Sequence, residues 1–239
     1  MRVKWKHIKM VLLLMLVVGL FAFSSVRNEE RIISKPEVSF LGGDNLFITQ
    51  ETVSKLLIQN QEGVKNVPKE TLDLNTLENA LNSNPMIKSA EVYVAVNGTL
   101  KAEIKQKRPL ARVSTNASYY IDDEGQYMPL SPNYTARVPL VTGYVEKNNL
   151  KHIYTVAKKI EDDQFLKHHV VEIHQSLNGN MALRLRKCKF MVNLGDLTFL
   201  EKKISNFKAF YKKSLKENTL DAYSKVNLQF ENQVVCTKT

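Results

Sequence analysis

Residues 84–113 read NPMIKSAEVYVAVNGTLKAEIKQKRPLARV. Two runs within them alternate apolar with other residues. Val92, Val94 and Val96 share one face of the first, and Leu100, Ala102 and Ile104 share one face of the second. A period of two over this length describes half-buried strands. Asn97-Gly98 lies between the runs, and that dipeptide tolerates the positive φ angles of a type I′ turn, so a tight antiparallel hairpin is expected. Arg108-Pro109 closes the second strand, because proline has no N–H to give a ladder and restricts the residue before it. The chain on either side of this hairpin reads as two different domains.

Upstream, Glu37–Phe40 begins a strand and Gly42 to Asn45 is a turn cluster. Thr49 is a plausible N-cap for a helix with Val53, Leu56 and Leu57 on one face. Asn60 to Lys69 is irregular. Asn75-Thr76-Leu77-Glu78 has capping-box character and opens a second helix carrying Leu74, Leu77 and Leu81. The order is strand, helix, helix, strand, strand, and the valine face of the hairpin supplies the surface the helices need. A two-layer α+β domain of about 70 residues is large enough for one small core.

Downstream, Ala111–Ser114 reads as a strand. Tyr119–Ile121 and Tyr127–Leu130 flank Asp122-Asp123-Glu124-Gly125, in which Asp and Gly are turn formers before they are catalytic carboxylates. Val138–Val141 is a strand, and Asn149–Glu161 suits a helix with Ile153, Val156, Ala157 and Ile160 inward. Val170–Leu177 and Met181–Val192 form a longer hairpin about Asn178-Gly179, with Leu183 and Leu185 on one face and Arg184 and Arg186 on the other. A helix follows with Leu200, Ile204, Phe207, Phe210 and Tyr211 inward and a lysine-rich covering outward. Val226, Leu228 and Phe230 alternate on a final strand, and Val234-Val235 follow a polar break.

The N-terminus has a different character. Arg2, Lys4, Lys6 and Lys9 precede Met10 to Val26, MVLLLMLVVGLFAFSSV, which carries no charge. Such a run spans roughly 26 Å as a helix, close to the hydrocarbon thickness of a bilayer. Its basic flank places the N-terminus in the cytoplasm and the rest outside. A cleaved signal peptide is the competing reading, but its apolar region is usually shorter and its cleavage site resembles A-x-A, whereas Ala22-Phe23-Ser24 has a bulky centre. The expected organisation is a cytoplasmic tail at 1–9, a transmembrane anchor at 10–27, a connector at 28–36, the α+β domain at 37–108 and a mixed β-sheet domain with flanking helices at 109–239. The net charge is +10, and without the four N-terminal cations it is +6, scattered and not interleaved with aromatics, which argues against nucleic-acid binding.

Chemistry is sparse. His168, His169 and His174 lack an H-E-x-x-H pattern, cysteine pairs or acids at ligand spacing, so a solvated turn and strand explain them better than a metal site. There is no G-x-S-x-G elbow, phosphate-cradling loop or dinucleotide fingerprint. No catalytic residue, cofactor or metal is expected. Cys188 and Cys236 would lie in a compartment that permits a disulfide, but read better as unpaired small hydrophobes. The three N-x-S/T triplets at Asn97, Asn116 and Asn133 carry no weight.

The whole pattern resembles the FtsQ/DivIB family of bacterial cell-division proteins. A basic tail and one anchor lead to a POTRA-like unit whose hairpin opens at Asn84-Pro85-Met86-Ile87-Lys88 and ends in Lys107-Arg108-Pro109-Leu110-Ala111-Arg112. Tyr120-Ile121-Asp122 to Gly125, Pro139-Leu140-Val141-Thr142-Gly143, Val192-Asn193-Leu194-Gly195, and Val226 to Phe230 with Gln233-Val234-Val235 resemble successive parts of the family's β domain. The compact tail and the C-terminal VVCT look most like members from Bacteroidetes. The resemblance implies a non-enzymatic, single-pass inner-membrane scaffold at the septum. It implies binding of FtsB-like and FtsL-like partners in the periplasm, with the POTRA unit and membrane segment reaching other divisome proteins. Independently, a last strand with one polar and one apolar face can lie at a sheet edge and accept a partner strand. Tyr223, Val226, Leu228, Gln229, Phe230 and Val234 are the residues expected there. A POTRA-bearing translocation or outer-membrane assembly component, and an anchored cell-wall enzyme, are the alternatives.

Overall fold

A computed structural model describes residues 5–29, 34–42, 47–59, 73–230 and 232–239. The chain divides into two compact units, Met1–Gln106 and Lys107–Thr239.

The first unit opens with helix α1 (Trp5–Glu29). The side chains described in it, from Met10 to Phe23, are exposed apolar groups interrupted only by small residues. Among the described residues, no helix is long and apolar enough to cross a membrane. The expected anchor, 10–27, therefore stands here as an exposed apolar helix and not as a demonstrated span. After it come β1 (Ser34–Leu41), α2 (Gln50–Gln59), α3 (Leu74–Asn82), β2 (Ile87–Val94) and β3 (Thr99–Gln106). The strands lie in the order β1-β3-β2, with β3 parallel to β1 and antiparallel to β2. Val53 and Leu57 of α2 and Leu77 and Leu81 of α3 are fully buried with Leu100, Ala102 and Ile104. This is the two-layer core that the alternation requires.

Local details depart from the expectation. Thr49 does cap α2, its Oγ1 accepting the Thr52 N–H at 3.2 Å. The cap of α3, however, is Asp73, whose Oδ1 accepts the Thr76 N–H at 3.1 Å, and not Asn75. The irregular stretch 60–69 lies outside the described residues. The hairpin turn is one residue longer than a type I′ turn. Gly98 N–H donates to Ala95 O, Ala95 N–H donates to Thr99 O, and of the central residues only Gly98 has positive φ, at 87°. The loop is thus a three-residue type, with glycine alone in the left-handed region. Val96 consequently leaves the valine face and is 90% exposed.

The second unit contains β4 (Pro109–Ser114), β5 (Ser118–Asp122), β6 (Tyr127–Met128), β7 (Leu140–Gly143), α4 (Lys151–Asp162), α5 (Gln164–His169), β8 (Val170–Gln175), β9 (Met181–Leu185), β10 (Met191–Gly195), α6 (Leu200–Lys216), β11 (Tyr223–Asn227) and β12 (Val235–Lys238). Nine strands form one mixed sheet in the order β12-β11-β10-β9-β8-β7-β4-β5-β6. The register aligns Val113, Val141, Ile173, Leu183, Val192 and Val226 in one row across six strands, and all are buried. Ile153, Val156 and Ile160 of α4 and Ile204, Phe207 and Tyr211 of α6 belong to the same core. The adjacent row on the other face carries Arg112, Leu140, Glu172, Arg184 and Lys225.

Two elements differ from the expectation. The expected strand 181–192 is broken at Arg186–Phe190 into β9 and β10, which pair antiparallel. Residues read as a histidine-bearing turn form α5, capped by Asp163, whose Oδ1 accepts the Leu166 N–H at 3.1 Å.

Candidate functional site

The C-terminal edge of the large sheet is formed by β12. It pairs antiparallel with β11, matching Tyr223 with Lys238, Lys225 with Thr237, Val226 with Cys236 and Asn227 with Val235. β11 in turn pairs parallel with β10, so both sides of β11 are occupied. This corrects the expectation that the Val226–Phe230 strand itself is the edge. The alternation Val226, Leu228, Phe230 marks a strand, but edge position depends on what the chain does after Gln233.

The six expected residues separate accordingly. Val226 is fully buried in the core and Leu228 is 1% exposed, its N–H donating to Asn193 O at 2.8 Å. Tyr223 is half-buried, with its ring edge-on to Phe210 at 5.4 Å. Val234 packs against the same core. Only Gln229 and Phe230 are exposed, and they lie beyond the end of β11. Gln229 N–H donates to Asn227 Oδ1 at 3.0 Å, and its side chain lies against Gly195. The structure therefore brings Phe230 and Val234 near the edge and leaves Val226 and Leu228 as its support.

The groups that face outward are Val235, Thr237 and Lys238, which were not singled out from the sequence. Thr239 N–H donates to Ala222 O at 3.0 Å. Alternation along β12 then turns the amides of Thr237 and Val235 toward β11 and those of Cys236 and Lys238 away from the sheet. An unpaired row of this kind can accept an added strand. The sequence signal was the β-branched pair Val234-Val235 at the start of VVCTK.

Beside this edge a small cavity of about 140 Å³ lies between the start of α6 and the β11–β12 turn, lined by Phe199, Asn206, Gln229, Phe230 and Asn232. Phe199 is 66% exposed and holds a left-handed φ of 52°, and Asn232 is also left-handed at 64°. The floor is fixed by Lys203, almost fully buried, whose Nζ donates to Asp196 O and Oδ1, each at 2.8 Å. The Lys203 ammonium and the Thr198 hydroxyl hold the Asp196 carboxyl down at about 2. A wider cleft of about 570 Å³ lies between the Asp122–Gln126 turn and the start of α4, lined among others by Tyr127, Lys147 and Tyr154.

The polar clusters are structural. Asp122 is wholly buried, its Oδ2 accepting from Lys107 Nζ at 2.8 Å and its Oδ1 from the N–H groups of Glu124 and Gln126. Thr142 Oγ1 donates to Glu172 Oε1 at 2.7 Å and lies 3.0 Å from His174 Nδ1, while Arg184 pairs with the other oxygen of Glu172. Here the hydroxyl donates its hydrogen bond to the carboxylate, so it meets His174 Nδ1 as the acceptor and not as a nucleophile deprotonated by the ring. His168 and His169 bond to the carbonyls of Gln164 and Phe165. Among the described residues, no group of three or more His, Cys, Asp or Glu could hold a metal ion. Cys236 sits opposite Val226 on β12, and Cys188 belongs to the β9–β10 connection; both thiols are free, and burial pushes both up.

Comparison with known proteins finds two family models. Residues 108–237 match the model described as FtsQ/DivIB, C-terminal related, and residues 42–105 match a POTRA-like domain. A curated relative is the cell division protein FtsQ of Myxococcus fulvus, 30% identical over 74 residues, which is 30% of this chain and 26% of that protein. The matched segment spans about a quarter of the length of that relative.

Proposed function

Because the chain belongs to the FtsQ/DivIB C-terminal related family, whose members are non-catalytic division proteins, we propose that it is a single-pass scaffold of the cell-division complex. In this reading α1 is the membrane anchor, with the tail at 1–9 cytoplasmic, the POTRA-like unit at 37–108 and the β domain at 109–239 on the far side of the inner membrane. An exposed apolar helix from Met10 to Phe23 supports the anchor, since such a surface left in water costs about 25 cal/mol per Å². The β domain captures FtsB-like and FtsL-like partners and so couples assembly of the complex to septal wall synthesis, while the POTRA-like unit reaches other members.

The observation that carries the binding mode is the outer edge of β12, unpaired among the described residues, next to exposed Phe230 and Val235. Backbone pairing supplies affinity, and Phe230, Val234 and Val235 supply selectivity, with Tyr223, Val226, Leu228 and Gln229 holding the hairpin in place. The test is photo-crosslinking from Val235 in dividing cells, with the captured protein identified. Capture of a small single-pass protein with a heptad pattern is expected. Capture of an outer-membrane barrel or a secretion component would overturn the division reading, and capture from β2 but not from β12 would move the site.

A further inference from the structure

The large sheet has a polarity of charge. β4, β7, β8, β10 and β11 all run in one direction, so their starting ends lie together. At that end the β9–β10 connection carries Arg186, Lys187 and Lys189, and the second half of α6 carries Lys212, Lys213 and Lys216, all exposed. The two segments are neighbours. Arg186 N–H donates to His169 O at 2.8 Å, the His169 ring meets Tyr211 of α6 at 5.1 Å, and Phe190 meets Phe210 at 6.3 Å. None of the six cations is in an ion pair among the described residues, whereas Lys159, Lys203 and Lys208 at other places on α4 and α6 each have a carboxylate. Exposed acids on the neighbouring segments are Glu217, Asp221 and Asp162, the last paired with Lys158, which still leaves a positive excess over the six cations. Leu215, 55% exposed, projects from α6 between Lys212, Lys213 and Lys216. The two cavities described above are lined by other residues.

We propose that this end of the β domain is a second, electrostatic contact with the bilayer, binding anionic phospholipid headgroups. The chemistry is that of a basic patch with an apolar tip: lysine and arginine meet phosphates while Leu215 enters the headgroup boundary. Lipid is the polyanion favoured, because six exposed cations spread over two neighbouring segments around an exposed apolar Leu215 suit a delocalised anionic surface with an apolar boundary. The proposal rests on the anchor reading in one respect, which is that tethering by α1 keeps headgroups at high effective concentration. It makes the domain's stance relative to the membrane depend on lipid charge.

The experiment is hydrogen exchange on the full chain, reconstituted through α1 into nanodiscs of phosphatidylcholine, with or without phosphatidylglycerol. Amides of 186–190 and 212–217 are expected to exchange about tenfold more slowly with phosphatidylglycerol, an effect removed by high salt. The variant K212E/K213E/K216E is expected to lose the slowing. The variant K147E/K151E, changed beyond the finishing end of β7, is expected to keep it. Equal exchange in both discs overturns the proposal, as does slowing that survives the triple reversal. Slowing that appears only when an acidic protein is added, in either disc, assigns the patch to a protein instead. A chain that does not enter discs at all counts against the anchor. The same exchange with the soluble chain and phosphatidylglycerol vesicles then reads the patch alone, and no slowing there overturns it.

Discussion

Asp122 and Lys107 show how much rests on single side chains. The carboxylate is fully buried and takes three hydrogen bonds, two from the turn it closes and one from Lys107 at the start of the second compact unit. Lys107→Met leaves a buried charge without its partner and is expected to cost about 3 kcal/mol, read from urea midpoints. Asp122→Asn is expected to cost less, because the amide keeps one acceptor. Asp196 titrates in the opposite regime, at the surface. Its folded pKa, about 2, lies below the ordinary carboxylate value, so its contribution is complete above about pH 4 and is lost as pH falls toward 2. Denaturation midpoints at pH 5 and near pH 2 are therefore expected to fall more steeply in the wild type than in Asp196→Asn. The acids at 122–124 were legible as turn formers, but the burial of Asp122 was not. Burial depends on Lys107, fifteen residues earlier, reaching the same point.

Among the elements, strand ends carry the sharpest constraints. A Cβ on Gly143, at the end of β7 with φ 88°, would stand 2.1 Å from the Gln175 carbonyl oxygen of β8, a backbone atom that cannot move aside. At Gly195 the obstacle is the Gln229 side chain, which can. Gly143→Ala is thus expected to lower the melting temperature far more than Gly195→Ala, which carries mainly the left-handed penalty of about 1 kcal/mol. For β12, Lys238→Pro removes an outward amide and spares the β11 ladder. Partner capture is expected to fail in Lys238→Pro and to persist in Lys238→Ala, with both chains folded. Proline at Gln229 would not test this, since that amide serves Asn227 Oδ1. Long periodic elements such as α4 and α6 were readable because their apolar faces repeat over several turns. The six-residue α5 and the β9–β10 break were not, because a short helix has little period to display and Arg184/Arg186 alternate through the break.

The whole molecule is two cores in series. Leu77 and Phe207 are fully buried in separate clusters. Leu77→Ala is expected to cost about 3 kcal/mol and Phe207→Ala about 4, each in its own unit only. Two calorimetric transitions are expected, one shifted by each substitution; a single transition moved by both would show the units to be coupled.

Periodicity alone determined the strand-helix-helix-strand-strand order and the apolar N-terminal helix. These are properties of residues close in sequence, where a repeat of 2 or 3.6 translates directly into a face. The tertiary structure decided which strand is the edge, which carboxylate is buried and where the cations gather. Each of these depends on residues far apart in the chain meeting at one place. Val226 and Val235 look alike as β-branched residues, but β10 covers one side of β11 and β12 the other, whereas β12 is paired on one side alone among the described residues.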